Sequence, residues 1–237
     1  MSDEKTPVSG GSDEGAVDSG PRTAHTLRAG AWYASRSLLA FSAVAVALLA
    51  AVYQVAQPRI EAAEAAQQLR VLQQILPADS FDNALLDDTI EVELPLTLSR
   101  PGADTVWRAR RGGRPVAVIL PVTTRDGYSG DIDLLVGIHR DGRVAAVRVV
   151  AHRETPGLGD AIEIARSTWI EQFNGRALGD PPDTQWRVRK DGGAFDQLTG
   201  ATITPRAVVA AVREALAYHA QAHERLYTAI DTPGGGA

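Results

Sequence analysis

Residues 105–150 read TVWRARRGGRPVAVILPVTTRDGYSGDIDLLVGIHRDGRVAAVRVV, and this stretch decides the fold. TVWRAR and PVAVILPV flank Arg111-Gly112-Gly113; IDLLVGIH and VAAVRVV flank Asp141-Gly142. Aliphatic and β-branched runs separated by turns of this kind predict two β-hairpins, because glycine accepts the positive φ that tight hairpin turns demand.

Toward the C-terminus, DAIEIARSTWIEQF (160–173) predicts a helix with Ile162, Ala165, Trp169 and Phe173 on one stripe. WRVRK (186–190) reads as a further strand before a Gly-rich turn. PRAVVAAVREALAYH (205–219) predicts a closing helix with Val208, Val212 and Leu216 on its buried face. Strands and helices mix without regular β-α alternation, so residues 104–222 are expected to form an α+β domain of antiparallel strands and helices. Residues 223–237 read as a flexible tail.

Toward the N-terminus, residues 78–103 form a polar, acidic connector with one strand-like run, ELPLTL. Before it, IEAAEAAQQLRVLQQIL carries strong helix formers with Leu69, Leu72 and Ile75/Leu76 at helical spacing, which predicts a stalk helix over 58–77 bounded by Pro58 and Pro77. The run from Ser37, SLLAFSAVAVALLAAVYQVA, has no charged residue, and about 20 such residues suffice for a helix to cross the hydrocarbon core. A transmembrane helix is expected at 36–56, although a cleaved signal peptide or a buried Ala-rich helix shares the pattern. Residues 1–30 hold few large apolar side chains, too few to offset chain entropy, and predict a disordered tail.

Placement of charge orients the span. Arg22, Arg28 and Arg36 precede it, whereas Arg59 beyond it is balanced by Glu61 and Glu64. The positive-inside bias puts the N-terminus in the cytoplasm and exports everything after Tyr53, with Trp32, Tyr33 and Tyr53 at headgroup depth. The chain has 237 residues, a formal net charge of -5 and no cysteine. Thiolate nucleophiles, disulfides and cysteine-ligated iron–sulfur or zinc sites are therefore excluded within it. Nothing in the charge balance calls for nucleic acid.

Two segments are candidates for chemistry. In DQLTGATITP (196–205), Pro205 suits the first position of the last helix with Thr204 as its N-cap. The partial positive charge of a helix start favours a phosphate. Gly200 and Ala201 leave the approach to Thr202 open, yet on the residues alone a Thr/Gly-rich helix cap that needs no cofactor is the stronger reading. In HRETPGLGD (152–160), Pro156, Gly157 and Gly159 impose a tight loop whose backbone can lie against a flat ring, with Glu154 and Thr155 offering polar groups to its edge. An ordinary strand-to-helix turn is the competing reading. His139, His152 and His219 lack ligand spacing, and no metal site is expected. Arg108, Arg110, Arg111 and Arg114 read as a solvated basic patch around a hairpin turn.

Asp196-x-x-Thr199-Gly200-Ala201-Thr202 is similar to the flavinylation signature Asp-Gly-x-Ser/Thr-Gly-Ala-Thr, departing from it at Gln197, where glycine is usual. In that signature the last threonine is joined to FMN through a phosphoester by an exported flavin transferase. The ordered set GYSGDIDLLVGI, HRETPGLGD, a helix with Trp169, and TGAT resembles the G subunits of Rnf-type electron transport complexes over roughly residues 37–220. More loosely it resembles the C subunits of the sodium-pumping NADH:quinone reductases.

The resemblance implies a membrane-anchored flavoprotein subunit of a translocating oxidoreductase, with FMN covalent on Thr202. It implies flavin contacts from Thr199, Gly200, Ala201 and Asp196 and from Glu154, Thr155, Gly157, Leu158 and Gly159, with no catalytic side chains. It further implies membrane and iron–sulfur sister subunits as partners and a flavin domain on the outer face of the inner membrane. An exported FMN-binding sensory module and a purely structural anchor are the alternatives. Asp126-Gly127-Tyr128-Ser129-Gly130-Asp131 begins like the signature but ends without a hydroxyl, and reads as the turn opening a strand.

Overall fold

The computed structural model describes residues 22–228, with side chains at Arg36 and from Leu38 onward. The expected tails over 1–21 and 229–237, and the side chains of Trp32 and Tyr33, lie outside the described residues. The chain divides into two compact units between Ile60 and Glu61.

Helix α1 runs Arg22–Gln73 without a break and holds Pro58 inside it. Two expectations change here. Residues 22–30 are helical rather than irregular, and the span and stalk are one helix, not two separated at Pro58. Proline removes one i→i−4 hydrogen bond at a cost of about 3 kcal/mol. The Ala-, Gln-, Glu- and Leu-rich flanks favour helix on both sides of it. Among the described residues one stretch of helix, Leu38–Gln73 within α1, is long and apolar enough to cross a membrane: the mean hydropathy of its apolar window is 2.2, and none of that window is buried. Leu38, Phe41, Leu48 and Val52 are all exposed on it. Such a surface is suited to lipid and fits a single-pass membrane protein.

The second unit is built on a five-stranded antiparallel meander in sequence order, β1 (Thr89–Val92), β2 (Asp104–Arg111), β3 (Arg114–Thr124), β4 (Ile132–His139) and β5 (Val144–Ala151). The β2–β3 turn pairs Arg111 with Arg114 across Gly112 and Gly113, whose φ values of 58° and 74° are those of the tight hairpin turn the sequence predicts. Both faces of the sheet are covered, which explains why PVAVILPV is continuously apolar rather than alternating. Val118, Leu120 and Val122 face one core with Val136, Ile138 and Val147, closed by α2 (Ile203–Tyr227) through Val208, Val212 and Leu216. Ala117 and Ile119 face the other, closed by Leu72, Ile75 and Leu76 at the end of α1 and beyond it. Gly137 is required there, since a Cβ would lie 2.2 Å from Ile75 Cγ2. The architecture is α+β.

Four local expectations are corrected. The connector contributes a strand: β1 lies inside 78–103, at Thr89–Val92 and not at ELPLTL, with Ile90 opposite Val106. The helix expected over 160–173 is two 3₁₀ segments, Gly159–Ile162 and Thr168–Phe173. Ser167 breaks it, because its hydroxyl donates to Ala161 O (2.6 Å) and accepts from Trp169 N (3.1 Å), competing with the helical ladder. WRVRK is not a strand. Trp186 and Val188 do point inward, but Val188 makes only an isolated bridge with Phe195, because the chain doubles back at Gly193 beside Arg187 O. Finally, α2 continues through the first residues assigned to a flexible tail, because Leu226 and Tyr227 are buried.

The basic patch is likewise not all solvated. Arg108 and Arg110 both bind the Asp88 carboxylate, at 2.6 and 2.5 Å, and Arg108 is buried.

Candidate functional site

Three segments distant in sequence converge on one side chain, Glu154. It sits at the start of the loop leaving β5 and is only 4% exposed. Its Oε1 accepts from Ser129 N at 2.9 Å, in the turn before β4. Its Oε2 accepts from the Thr204 hydroxyl, in the first turn of α2. A buried carboxylate is tolerable only when hydrogen-bonded in this way. Glycines make the approach possible: a Cβ on Gly127 would lie 2.9 Å from Glu154 Oε1, and one on Gly159 2.8 Å from Glu154 Cβ. Behind it, Glu154 N donates to His152 Nδ1 (3.0 Å), so the His152 proton is on Nε2, which meets Glu163 Oε1 at 2.6 Å.

The start of α2 departs from the expected cap. The helix begins at Ile203 with Thr202 in the capping position, φ −98° and ψ −34°, and the Thr202 side chain makes no capping hydrogen bond. Thr204 is inside the first turn and 1% exposed, its hydroxyl given to Glu154. Pro205 is the third helical residue rather than the first. That position tolerates it, since the first four N–H groups of a helix have no intrahelical acceptor. Before the helix, Ala201 N donates to Leu198 O at 3.2 Å and Gly200 takes φ 80°. Gly200 is also approached closely, a Cβ there falling 2.6 Å from Leu158 Cδ2.

These segments enclose a cavity of about 420 Å³ lined by Tyr128, Glu154, Thr155, Leu158, Gly159 and the continuous run 200–204. Of the residues expected at a site, Glu154, Thr155, Leu158, Gly159, Gly200, Ala201 and Thr202 are brought together here. Gly157, Thr199 and Asp196 are not in the wall. Gly157 supplies a turn at φ 78° and Thr199 is exposed in the turn before Gly200. The Asp196 carbonyl accepts from Trp169 Nε1 (2.7 Å) and its carboxylate pairs with Arg189 (2.7 Å), so it braces the loop from outside. Glu154 lines the cavity with both carboxylate oxygens already committed, not as a free polar edge.

Sequence reasoning misses Tyr128, Ile203 and Thr204 as wall residues. It takes the GYSG turn only as a strand opening, although an aromatic between two small residues is the available signal. Among the described residues no cluster of His, Asp or Glu could hold a metal ion.

The cavity falls in the ~300–1,000 Å³ range of small-ligand and cofactor sites, with apolar walls and few polar groups. Gly200 and Ala201 line it next to Thr202, and the start of a helix such as α2 is an environment that favours a phosphate. These features fit a flat-ringed phosphate ester.

Comparison with known proteins agrees. Residues 127–217 match the FMN-binding domain family, and residues 31–75 match the RnfG N-terminal region. The G subunit of the ion-translocating oxidoreductase complex of Pseudomonas aeruginosa (strain UCBPP-PA14) is 47% identical over 194 residues, 82% of this chain and 91% of that protein. The corresponding protein of Cronobacter sakazakii is 47% identical over 77% of this chain and 86% of its own length. That of Escherichia coli O157:H7 is 44% identical over 80% and 91%.

Proposed function

The chain belongs to the RnfG family, the G subunits of ion-translocating oxidoreductase complexes, and is a flavoprotein subunit with an FMN-binding domain; from that premise we propose that Thr202 carries its FMN as a phosphoester. One observation carries the assignment. Thr202 and Thr204 both line the cavity, but the Thr204 hydroxyl is buried and given to Glu154, whereas the Thr202 side chain makes no capping hydrogen bond to the helix. Attachment forms the bond from Thr202 Oγ1 to the flavin phosphate's phosphorus and breaks the phosphoanhydride bond of a flavin dinucleotide donor, so that a nucleoside monophosphate leaves and the hydroxyl proton is released, an exported flavin transferase catalysing the exchange.

When bound, the flavin accepts and releases electrons; that chemistry is the cofactor's. The chain's residues hold it. The first-turn amides of Ile203 and Thr204 favour the phosphate, and Gly200 and Ala201 admit it. Thr155, Leu158 and Gly159 face the ring from the loop after β5. Glu154 fixes both sides of the cavity, and Asp196, Gly157 and Thr199 shape the loops from outside it. No side chain acts as acid, base or nucleophile toward a further substrate.

The arginines before the span orient it with the N-terminus in the cytoplasm, so the flavin domain stands in the periplasm at the inner membrane. Its electron partners there are membrane and iron–sulfur sister subunits of the complex, which as a whole couples the transfer to ion movement.

Co-expression with the flavin transferase and a denaturing gel under ultraviolet light tests the acceptor. Wild type and Thr204→Ala bands fluoresce and the Thr202→Ala band is dark. Fluorescence surviving Thr202→Ala rejects the assignment.

A further inference from the structure

Tyr128 is 68% exposed, the most exposed large apolar or aromatic side chain among the described residues of the second unit. Burying such a ring would be favourable, since aromatic side chains remove ~150–250 Å² from water. The chain instead holds it out on a rigid support. On one side Gly127 is wedged where a Cβ would lie 2.2 Å from Gly130 O and 2.9 Å from both Glu154 Oε1 and Ile132 Cγ1. On the other side Ser129 N donates to the buried Glu154 carboxylate at 2.9 Å.

Among the described residues of this unit the exposed large apolar side chains are Leu96, Tyr128, Val150, Leu158, Leu178 and Ile203. Half of them, Tyr128, Leu158 and Ile203, line the one cavity that contains Thr202. Scattered exposed apolar residues need no explanation, but a cluster around a cavity marks a binding surface. Aliphatic Leu158 and Ile203 bring bulk without polarity. Tyr128 alone brings a π-face.

We propose that Tyr128 is a flavin-contacting residue, its phenol ring packed against the flat ring of the bound FMN and with Leu158 and Ile203 shielding that ring from water. The inference rests on the cavity being the flavin site, not on Thr202 being the acceptor. An electron-rich phenol in contact with a flavin quenches its fluorescence and disfavours its electron-rich reduced form. Tyr128 thereby sets both the brightness and the potential of the cofactor.

Full-length protein, flavinylated in cells and solubilised in detergent, tests this. Flavin emission of the native protein is divided by that of the same sample after denaturation, for wild type, Tyr128→Leu and Tyr128→Trp. The expected ratio is low for wild type, rises several-fold for Tyr128→Leu and stays low for Tyr128→Trp, which keeps a quenching π-face. The midpoint potential moves upward in Tyr128→Leu. Being so exposed, Tyr128 can be replaced without opening the core, and unchanged tryptophan emission confirms the fold.

A ratio in Tyr128→Leu equal to wild type overturns the proposal and leaves covalent attachment untouched. Should the wild-type gel band be dark, the acceptor assignment fails instead, and the same variants are titrated with free FMN. Quenching that Tyr128→Leu relieves then supports the contact, and quenching it leaves unchanged overturns it.

Discussion

Thr202 and Thr204 lie two residues apart at the start of one helix, and a pair of valine substitutions separates the acceptor role proposed for the first from the hydrogen bond that the second gives to Glu154. Valine preserves the shape of threonine and removes only the hydroxyl. At Thr204, 1% exposed, this deletes the donor to Glu154 Oε2. A hydrogen bond to a charged group contributes about 1.5–3 kcal/mol, and leaving the acceptor buried and unsatisfied puts the loss in that range. The second unit has between 150 and 250 residues, a size at which each kcal/mol shifts Tm by about 2–4 °C. Thr204→Val should therefore lower Tm by about 3–12 °C. At Thr202 no capping bond exists to lose, so Thr202→Val should stay within about 0.5 kcal/mol of wild type, as surface substitutions do.

The assay is thermal unfolding of detergent-solubilised, unflavinylated protein followed by tryptophan emission, reporting on Trp169 and Trp186 in the core. Flavin on the denaturing gel is scored in parallel. Thr204→Val should be unstable but labelled, and Thr202→Val stable and dark. Equal stability of the two variants, or no Tm loss in Thr204→Val, refutes the division of labour and the role of Glu154 in it.

Other expectations follow from the same region and from the far end of α2. Gly200→Ala must adopt φ 80° and pushes Leu158 aside. It should cost about 1–2 kcal/mol for the left-handed backbone and reduce flavin incorporation at constant transferase. His219 is 2% exposed beneath Tyr227, and burial, reinforced by His223, lowers its pKa from 6.5 to about 4. A depressed folded-state pKa means that the unfolded chain binds the proton more readily. Stability is thus complete above pH 6.5 and falls as pH drops from 6.5 toward about 4. Urea unfolding across that window should show the slope in wild type and a flatter line in His219→Gln.

What is legible in the sequence is whatever depends on neighbours along the chain. Gly112-Gly113 and Asp141-Gly142 announce their hairpins because turn conformation is a local property. The uncharged run from Ser37 announces a span for the same reason. The α2 stripe of Val208, Val212 and Leu216 is a matter of period. The misplaced elements depend on partners elsewhere. TIEV becomes β1 only because Trp107 to Asp104 offer it an edge. WRVRK alternates like a strand yet finds no ladder, because Gly193 folds the chain back on Arg187.

At the site, Thr202 and the ETPGLG loop are readable through resemblance and local chemistry. That Glu154 spends its charge on Ser129 and Thr204 cannot be read, because those contacts join residues 25 and 50 positions away. Tyr128 escapes for the same reason: its importance arises from what lies across the cavity.

The Glu154 junction has a consequence for biogenesis. The turn before β4, the loop after β5 and the start of α2 meet at a single carboxylate, so the pocket around Thr202 cannot exist on a nascent or half-folded chain. If this pocket receives the flavin as proposed, a chain whose α2 has not docked offers TGAT without the walls that Glu154 gathers around it. A transferase that requires the pocket would label finished molecules only, and the yellow colour of the protein would then serve as a stamp of completed folding.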